Sequence, residues 1–353
     1  MSSSTPASRL TAMLTPLIAV LLAFAVCALI VLASGYDPVL TFASLFRGAF
    51  GSTYQIATTL AHSVPLMLTG LGVAIAFRAG LFNIGAEGQF WAGSIAATWV
   101  GYSLQGLPSW LHILLALLAG MLAGFLWGAL IPGLLKAFTG AHEVITSMMM
   151  TYIAIYLSHY LLEGGPMMEP GYTPVSPTIQ SSAFLPLLVP GTQLSLGLLI
   201  ALLTAAAVDF FFRRTSLGYQ FRAAGFSPVA ARFAGINVGL GIVLALGLSG
   251  ALAGLSGAVQ ILGVDHRLYD SFTAGYGFTA IVVSLLGKNH PWGVIAAALL
   301  FGALDVGAAG MQLEAGVPRQ LVDMTQGIII FFIAIETVVS WLLQRRRRAE
   351  VAA

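Results

Sequence analysis

Long runs of apolar residues, separated by short polar stretches, cover most of the chain. A helix needs about 20 apolar residues to cross a bilayer, and the run at 276–287 is too short to cross alone. The runs predict an all-α, polytopic membrane helix bundle of about ten segments, some of them short or broken. These segments lie near residues 12–33, 57–77, 85–104, 110–135, 143–162, 192–212, 237–262, 276–287, 292–310 and 320–343.

The composition supports a membrane protein. Hydrophobic residues make up 58% of the 353 residues and charged residues only 8%, against about 25% charged residues in a soluble domain. A soluble fold of this size could not cover so much apolar surface with so few charges. The first apolar run, 12–33, is also longer than the apolar region of a secretory signal, so we expect an uncleaved first helix.

The basic residues indicate the orientation of the bundle. If the N-terminus is inside, twelve of the fifteen lysines and arginines fall in inner segments, as the positive-inside rule requires. The three that fall outside are Arg47, Arg267 and Arg319. We therefore expect both termini to be cytoplasmic.

This orientation divides the chain into an N-terminal cytoplasmic tail at 1–11, a transmembrane domain at 12–343 and a basic cytoplasmic tail at 344–353. Four consecutive arginines in the last tail directly follow an apolar run. A topology anchor is therefore favoured over nucleic-acid binding.

Motifs for enzymatic chemistry are missing from the sequence. It contains neither the G-x-x-x-x-G-K-[ST] of a P-loop nor the G-x-S-x-G of a serine hydrolase. The stretch HEVIT at 142–146 has Thr146 where a zinc-binding helix needs a second histidine. Cys27 is the only cysteine, which excludes disulfides within the chain and cysteine-based metal sites. We expect no catalytic residues, no metal site and no cofactor bound by this chain.

Two connecting segments are long enough to have a function. The outer segment (residues 163–191) is rich in proline and lacks lysine and arginine. Loops of this length are often functional, and it is either a loose spacer or a docking surface on the outer face.

The inner segment (residues 213–236) predicts short helical stretches at 222–224 and 229–233. Ser227 suits an N-cap, Pro228 the first helical position and Gly235 the C-terminal stop. An interfacial linker would explain this pattern, but the definite caps favour a docking surface for a cytoplasmic partner, with Arg232 exposed.

The first polar segment (residues 77–93, FRAGLFNIGAEGQFWAG) interrupts two apolar runs. A carboxylate in hydrocarbon is costly, so Glu87 should not face lipid. It should cap a broken helix, pair with a neighbour such as Arg78, or line a watery path. Non-helical backbone at membrane depth requires burial in protein or a cavity.

The second polar segment (residues 276–294) resembles the first, with Lys288, Asn289 and a helix restart at Pro291 after a short apolar stretch. Paired interrupted helices are a sequence indication of a translocation path. Two ordinary tight turns are the alternative.

Other polar residues in the apolar runs could relay protons, but helix–helix contacts are the favoured explanation. They are His62, His112, His159, Asp209, Asp305 and Glu336. Glycines at 120, 124 and 128 form a small-residue ridge that permits close helix packing.

Three stretches resemble the permease subunits of bacterial nucleoside and simple-sugar ABC importers, which are related to ribose and branched-chain amino acid permeases. They are FNIGAEGQ (82–89), RAAGFSPVAARFAGI (222–236) and GFTAIVVSLLGKNHPWG (277–293). The resemblance covers about residues 60–343, and the first stretch favours the nucleoside branch over the ribose branch.

The resemblance implies a multi-pass protein of the bacterial plasma (inner) membrane that forms a path for nucleosides, or a related simple sugar, with a second permease subunit. Cytoplasmic ATP-binding subunits, which hold the ATP and Mg²⁺, would drive transport. An extracytoplasmic binding lipoprotein would deliver the solute.

The resemblance also implies that the inner segment docks on the ATP-binding subunits. The matching positions are Arg222, Gly225, Pro228, Ala231, Arg232 and Gly235. Phe226 and Ser227 stand where an acidic or amide residue is frequent, so the polarity of this contact differs from the common pattern.

The expected substrate pathway lies at the two polar segments. Amide and hydroxyl side chains suit the hydroxyls and amides of a nucleoside, and Phe82 or Phe278 could stack on the base. The expected pathway residues are Phe82, Asn83, Glu87, Gln89, Phe278, Thr279, Ser284 and Asn289.

Two other functions remain open at this stage. A secondary transporter could be driven by protons through Glu87, Asp305 and Glu336. A structural or signalling membrane subunit fits the composition but leaves the paired polar segments unexplained.

Overall fold

The computed structural model of the protein describes residues 21–171, 173–270, 272–273, 275–321, 323–324, 327–328 and 331. The expected tails at 1–11 and 344–353, residue Glu336 and most of the segment 320–343 lie outside the described residues. The described chain is helical, and its β-structure is limited to two isolated bridges. A helical membrane bundle is thus confirmed, whereas the number of ten spans stays a prediction.

The described residues divide into two compact units. The smaller unit combines residues 21–56 with those from 303 onward, and it contains α1 (Leu21–Ala33) and α2 (Pro38–Phe50). The larger unit covers 57–302. Its helices include most of α3 (Thr53–Arg78), α4 (Ala86–Ser103), α5 (Ser109–Gly128), α6 (Leu134–Thr139), α7 (Glu143–Leu162), α8 (Gly197–Arg214), α9 (Ser216–Phe226), α10 (Pro228–Phe233), α11 (Val238–Gln260), α12 (Tyr276–Leu286) and part of α13 (Pro291–Ala315).

Within the described residues, five helical stretches are long and apolar enough to cross a membrane. They are Thr53–Arg78, Ser109–Thr139, Glu143–Leu162, Val238–Asp265 and Pro291–Ala315. Two of them contain a π-helical turn, at Ala129–Gly133 and Ile261–Asp265. Each of the five lies within a few residues of an apolar run that predicted it.

Helix α12 is short, as expected. Its 11 residues extend over about 16 Å, roughly half of the hydrocarbon thickness of a bilayer. Helix α2 was not predicted, because its run of apolar residues is also short. Its start has a clear local cause, since Asp37 accepts the N–H of Val39 at 2.8 Å and Pro38 occupies the first helical position.

Helices α4, α5 and α11 pack through glycine. A β-carbon at Gly120 of α5 would lie 3.1 Å from the carbonyl oxygen of Gly254 in α11. Gly124 and Gly128 face the backbone of Gly250 and Leu246 in the same way. The expected small-residue ridge is therefore confirmed, and it brings the helix backbones into direct contact.

The outer segment lacks long helices but is bound to the rest of its unit. Its backbone N–H groups at Ser176, Ile179 and Leu185 donate to carbonyls of residues 262–268, at 2.8 to 2.9 Å. These bonds argue against a loose spacer, while its docking role stays a prediction.

Candidate functional site

The first polar segment contains a real break in the helices. Helix α3 ends at Arg78, Gly80 adopts a left-handed conformation with φ of 74°, and α4 starts at Ala86. The N–H of Leu81 donates back to the carbonyl of Ala76 at 3.0 Å, which closes the end of α3. The chain then crosses to α4 as non-helical backbone buried in protein, as the sequence predicted.

Glu87 caps a helix that is distant in sequence. Its side chain is buried, with 2% exposure, and its carboxylate accepts the Thr273 hydroxyl at 2.5 Å and the Gly277 N–H at 2.6 Å. Gly277 is the second residue of α12. The negative charge therefore lies at the positive end of the α12 dipole. Of the three expectations for Glu87, the cap of a broken helix is confirmed.

Arg78 does not pair with Glu87, so that expectation was wrong. Its Nε instead donates to the carbonyl oxygen of Asn289 at 2.8 Å, and its guanidinium carbon lies 4.6 Å from the centre of the Phe212 ring. Asn289 follows the C-terminal end of α12, where a positive charge is favourable. The first polar segment thus contacts α12 at both ends. Glu87 binds its N-terminal end, and Arg78 binds the turn after its C-terminal end.

The turn that follows α12 has an unusual backbone. Lys288 and Asn289 both have left-handed conformations, with φ of 53° and 55°. The Ser284 hydroxyl donates to the Asn289 side-chain oxygen at 2.9 Å, and this bond fixes the turn. The second polar segment is therefore a short helix followed by a tight, internally bonded turn.

The amides of the first polar segment form a buried network. Asn83 Nδ2 donates to Gln89 Oε1 at 2.9 Å and to the Ser249 hydroxyl at 2.8 Å. The Gly85 N–H donates to Asn83 Oδ1 at 3.0 Å. This network joins the broken segment to α11 and satisfies polar groups that burial would otherwise leave unpaired.

The expected pathway residues fall into two groups by exposure. Phe82 is 38% exposed and Phe278 is 41% exposed, and Thr279 and Asn289 are half-buried. The other four are buried, namely Asn83, Glu87, Gln89 and Ser284. The structure brings the two polar segments together, and it adds partners that the sequence did not indicate: Ser249, Thr273 and the Gly277 N–H.

The inner segment forms two helices, α9 and α10. Ser227 accepts the N–H of Ala230 at 3.2 Å, Pro228 starts α10, and Gly235 has φ of 81°, as predicted. The expected helical stretch at 222–224 was too short, because Thr215 caps α9 eleven residues before its end. Its hydroxyl accepts the N–H of Gly218 at 3.1 Å.

The outward face of the inner segment is both basic and aromatic. Phe226 is 92% exposed and Phe233 is 88% exposed, and Arg222 and Arg232 are exposed with them. Ala231 is buried on the opposite side. Such a surface, with apolar rings beside bases, is typical of a protein–protein contact.

The inner segment packs directly on the first polar segment. A β-carbon at Gly80 would lie 2.9 Å from the Cα of Gly225, and one at Gly225 would lie 3.0 Å from the backbone of Ala79. A cleft of about 470 Å³ opens beside this contact, between Lys136, Arg232 and their neighbours. Only glycine permits so close an approach of the two backbones.

His290 lies next to Arg78 and Arg213 at the end of the second polar segment. Burial lowers the pKa of His290, and the positive charge of Arg78 lowers this pKa further. The imidazole is therefore neutral at pH 7. It can then accept from the guanidinium of Arg213, 3.4 Å away.

Within the part of the chain that the structure describes, one group of side chains could hold a metal ion: His159, Glu163 and Asp270. His159 Nε2 lies 3.2 Å from Asp270, and its Nδ1 lies 3.7 Å from Glu163. The two carboxylates face opposite nitrogens of one imidazole, and a metal ion can bind only one of these nitrogens.

The sequence of the chain has clear relatives. Residues 55–334 match the family described as the permease component of branched-chain amino acid transport systems. The chain belongs to this family. The predicted multi-pass permease is thereby confirmed, and the apolar helices place this permease in a membrane. No solved structure matches the chain.

Three curated relatives of this permease cover nearly its full length. The guanosine ABC transporter permease protein NupP of Bacillus subtilis (strain 168) is 40% identical over 96% of this chain and 98% of its own. The nucleoside ABC transporter permease protein NupB of Lactococcus lactis subsp. cremoris (strain MG1363) is 36% identical over 95% of this chain and 94% of its own. The glucose ABC transporter permease protein TsgB13 of Haloferax volcanii is 36% identical over 90% of this chain and 86% of its own.

Bacillus subtilis and Lactococcus lactis each also have a second permease that is similar to this chain. These two proteins are 28% and 27% identical to it, over 70% of this chain and 79% of their own length. Permeases of this kind therefore occur in pairs among the relatives.

Proposed function

We propose that this permease is a transmembrane subunit of an ABC importer that carries nucleosides, or a related simple sugar, across a bacterial plasma membrane. The observation that carries the proposal is the contact of Gly225 with Gly80, which joins an exposed docking surface to the helix break at the candidate path. The printed functions of NupP, NupB and TsgB13 support the solute class.

The proposed assembly contains a second permease, ATP-binding subunits on the cytoplasmic side and an extracytoplasmic binding lipoprotein. The paired permeases of the relatives support the first partner. The exposed Phe226, Phe233 and Arg232 of the inner segment support the second. In this assembly ATP and Mg²⁺ are held by the ATP-binding subunits, and hydrolysis shifts this chain between outward-facing and inward-facing states.

The accessible and the buried pathway residues suggest different roles. Phe82, Phe278, Thr279 and Asn289 present accessible surface and contact the solute, with a phenyl ring for the flat base. The buried Asn83, Glu87, Gln89 and Ser284 hold the broken helices in position. Of the eight expected pathway residues, we therefore assign solute contact to four and a supporting role to four.

The alternative is a proton-coupled secondary transporter. It needs carboxylates that exchange protons during the cycle, but Glu87 is bonded to Thr273 and Gly277. Asp305 forms an ion pair with Arg319. These contacts favour a structural role for both carboxylates.

Reconstituted vesicles test the two functions directly. The permease, its second permease and the ATP-binding subunits are incorporated together, the binding lipoprotein is added, and labelled guanosine uptake is followed with ATP present. We expect uptake that vanadate inhibits and that a protonophore leaves unchanged. Inhibition by the protonophore alone would favour the secondary transporter and contradict our proposal.

A further inference from the structure

We propose that Arg78 is the positioning residue through which the inner segment moves α12. This inference rests on the proposed function, in which ATP-binding subunits dock on the inner segment. It concerns a different step, namely how the docked subunits reach the solute path.

The first step is a backbone contact. Gly225 of α9 packs against the backbone of residues 78–80, so closely that its β-carbon position is 3.0 Å from the Gly80 nitrogen. No side chain separates the two backbones. A close-packed contact transmits displacement because it cannot be compressed, so a shift of α9 moves the end of α3 with it.

The second step is the side chain of Arg78. Its guanidinium lies over the Phe212 ring of α8 at 4.6 Å and donates through Nε to Asn289 at 2.8 Å. A planar guanidinium held on one face by an aromatic ring has a defined orientation. Movement of the end of α3 is therefore passed to the turn after α12.

The charges around Arg78 connect it to the inner segment a second time. Arg222, which lies on α9, and Arg213 repel the guanidinium, whereas Asp209 attracts it. Displacement of α9 changes the distance from Arg222 to Arg78. The field on the guanidinium thus changes together with the backbone contact.

The third step is α12 itself. Its first turn is held by Glu87 through the Gly277 N–H, and its last turn is followed by the Arg78 contact. The helix has only 11 residues and carries Phe278 and Thr279 of the candidate path. Displacement of its C-terminal end about the fixed N-terminal end would reorient these two side chains.

Substitution of Arg78 by lysine tests this inference, because lysine keeps the charge but lacks the planar fork. In the reconstituted full complex we expect normal assembly and ATP hydrolysis. The amount of guanosine taken up per ATP hydrolysed should fall roughly tenfold, as expected when a charge-assisted hydrogen bond is lost. Arg47→Lys is the matched control, since Arg47 is exposed in the last turn of α2 and lies outside the inner segment and both polar segments.

A labelling experiment separates transmission from a merely structural role. Cys27 is the only cysteine, so Cys27→Ser gives a background in which Leu285→Cys marks an exposed position on α12. ATP should change the rate at which this cysteine reacts with a thiol reagent when Arg78 is present. In the Arg78→Lys variant the change should disappear. If that variant does not fold, Phe212→Leu, which removes the ring beneath the guanidinium but keeps a buried apolar side chain, should reduce the change.

The results distinguish this inference from the proposed function. Absence of ATP-driven uptake in the unsubstituted complex would refute the proposed function. Normal uptake per ATP in the Arg78→Lys variant, or an ATP-dependent labelling change that persists in it, would overturn the role of Arg78 alone. A parallel loss of assembly, hydrolysis and uptake in Phe212→Leu as well as in Arg78→Lys would also overturn it, because that pattern indicates a structural role.

Discussion

The carboxylate of Glu87 accepts the backbone N–H of Gly277 at 2.6 Å, across 190 residues of sequence. This bond joins the two polar segments and places a negative charge at the start of α12, where the helix dipole favours it. The same carboxylate also accepts the Thr273 hydroxyl at 2.5 Å. One buried side chain therefore fixes both the position of α12 and the stretch of chain before it.

Removal of the Glu87 charge should impair transport. Glu87→Gln exchanges a carboxylate oxygen for an amide that cannot accept both bonds equally, at a cost of about 1.5–3 kcal/mol for a bond to a charged group. We expect guanosine uptake to be nearly lost and the melting temperature in detergent to fall. Glu169→Gln, at a half-buried carboxylate of the outer segment that pairs with Arg267, is the control. Unchanged uptake by Glu87→Gln would contradict the capping role.

A side chain at position 277 should be equally harmful. The β-carbon of Gly277→Ala would overlap the backbone of Glu87, and overpacking of this kind costs about 1–3 kcal/mol. Thermal unfolding in detergent would measure the loss. Gly241→Ala is a matched control on α11, because nothing lies within 4 Å of its β-carbon position. That control should be neutral or slightly stabilising, since alanine favours helix more than glycine.

The buried amide network should matter for stability more than for solute affinity. Ser249→Ala leaves a buried donor of Asn83 without its partner, which costs about 1–3 kcal/mol. We expect a lower melting temperature with an unchanged half-saturating guanosine concentration. A changed solute affinity would instead place Asn83 in contact with the solute.

Charge reversal on the inner segment should weaken its binding to the ATP-binding subunits. Arg232 is exposed on α10, so Arg232→Glu should leave the fold intact and weaken ATPase capture by the detergent-solubilised permease. Arg267→Glu reverses a charge expected on the outer face and is the control. Equal capture by both variants would mean that the docking surface lies elsewhere.

The exposed phenylalanines should distinguish nucleosides from sugars. Phe278→Leu removes a ring that can stack on a base, and base–aromatic stacking contributes roughly 1–3 kcal/mol. We expect the half-saturating guanosine concentration to rise at least about fivefold, with little change for a sugar that has no base. If both solutes are affected alike, Phe278 acts by position rather than by stacking.

Local patterns predicted the parts of this protein that depend on neighbours in sequence. The apolar runs located α3, α7, α11 and α13 to within a few residues, because a helix needs about 20 apolar residues to cross a bilayer, whether it contacts lipid or other helices. The caps at Ser227, Pro228 and Gly235 were predicted for a similar reason, since a cap is a contact over three or four residues. Helix α2 was missed because its apolar run is too short to differ from a loop.

The sequence alone determined that polar groups at 77–93 and 276–294 must avoid lipid, since their charge and hydrogen-bonding capacity do not depend on the fold. Only the tertiary structure decided how each group is satisfied. Glu87 binds the start of α12 rather than Arg78, and Arg78 binds the turn after α12, 211 residues away. Asn83 donates to both Gln89 and Ser249. The periodicity of a sequence specifies which face of a helix is buried, but partners between distant segments follow from how the helices pack.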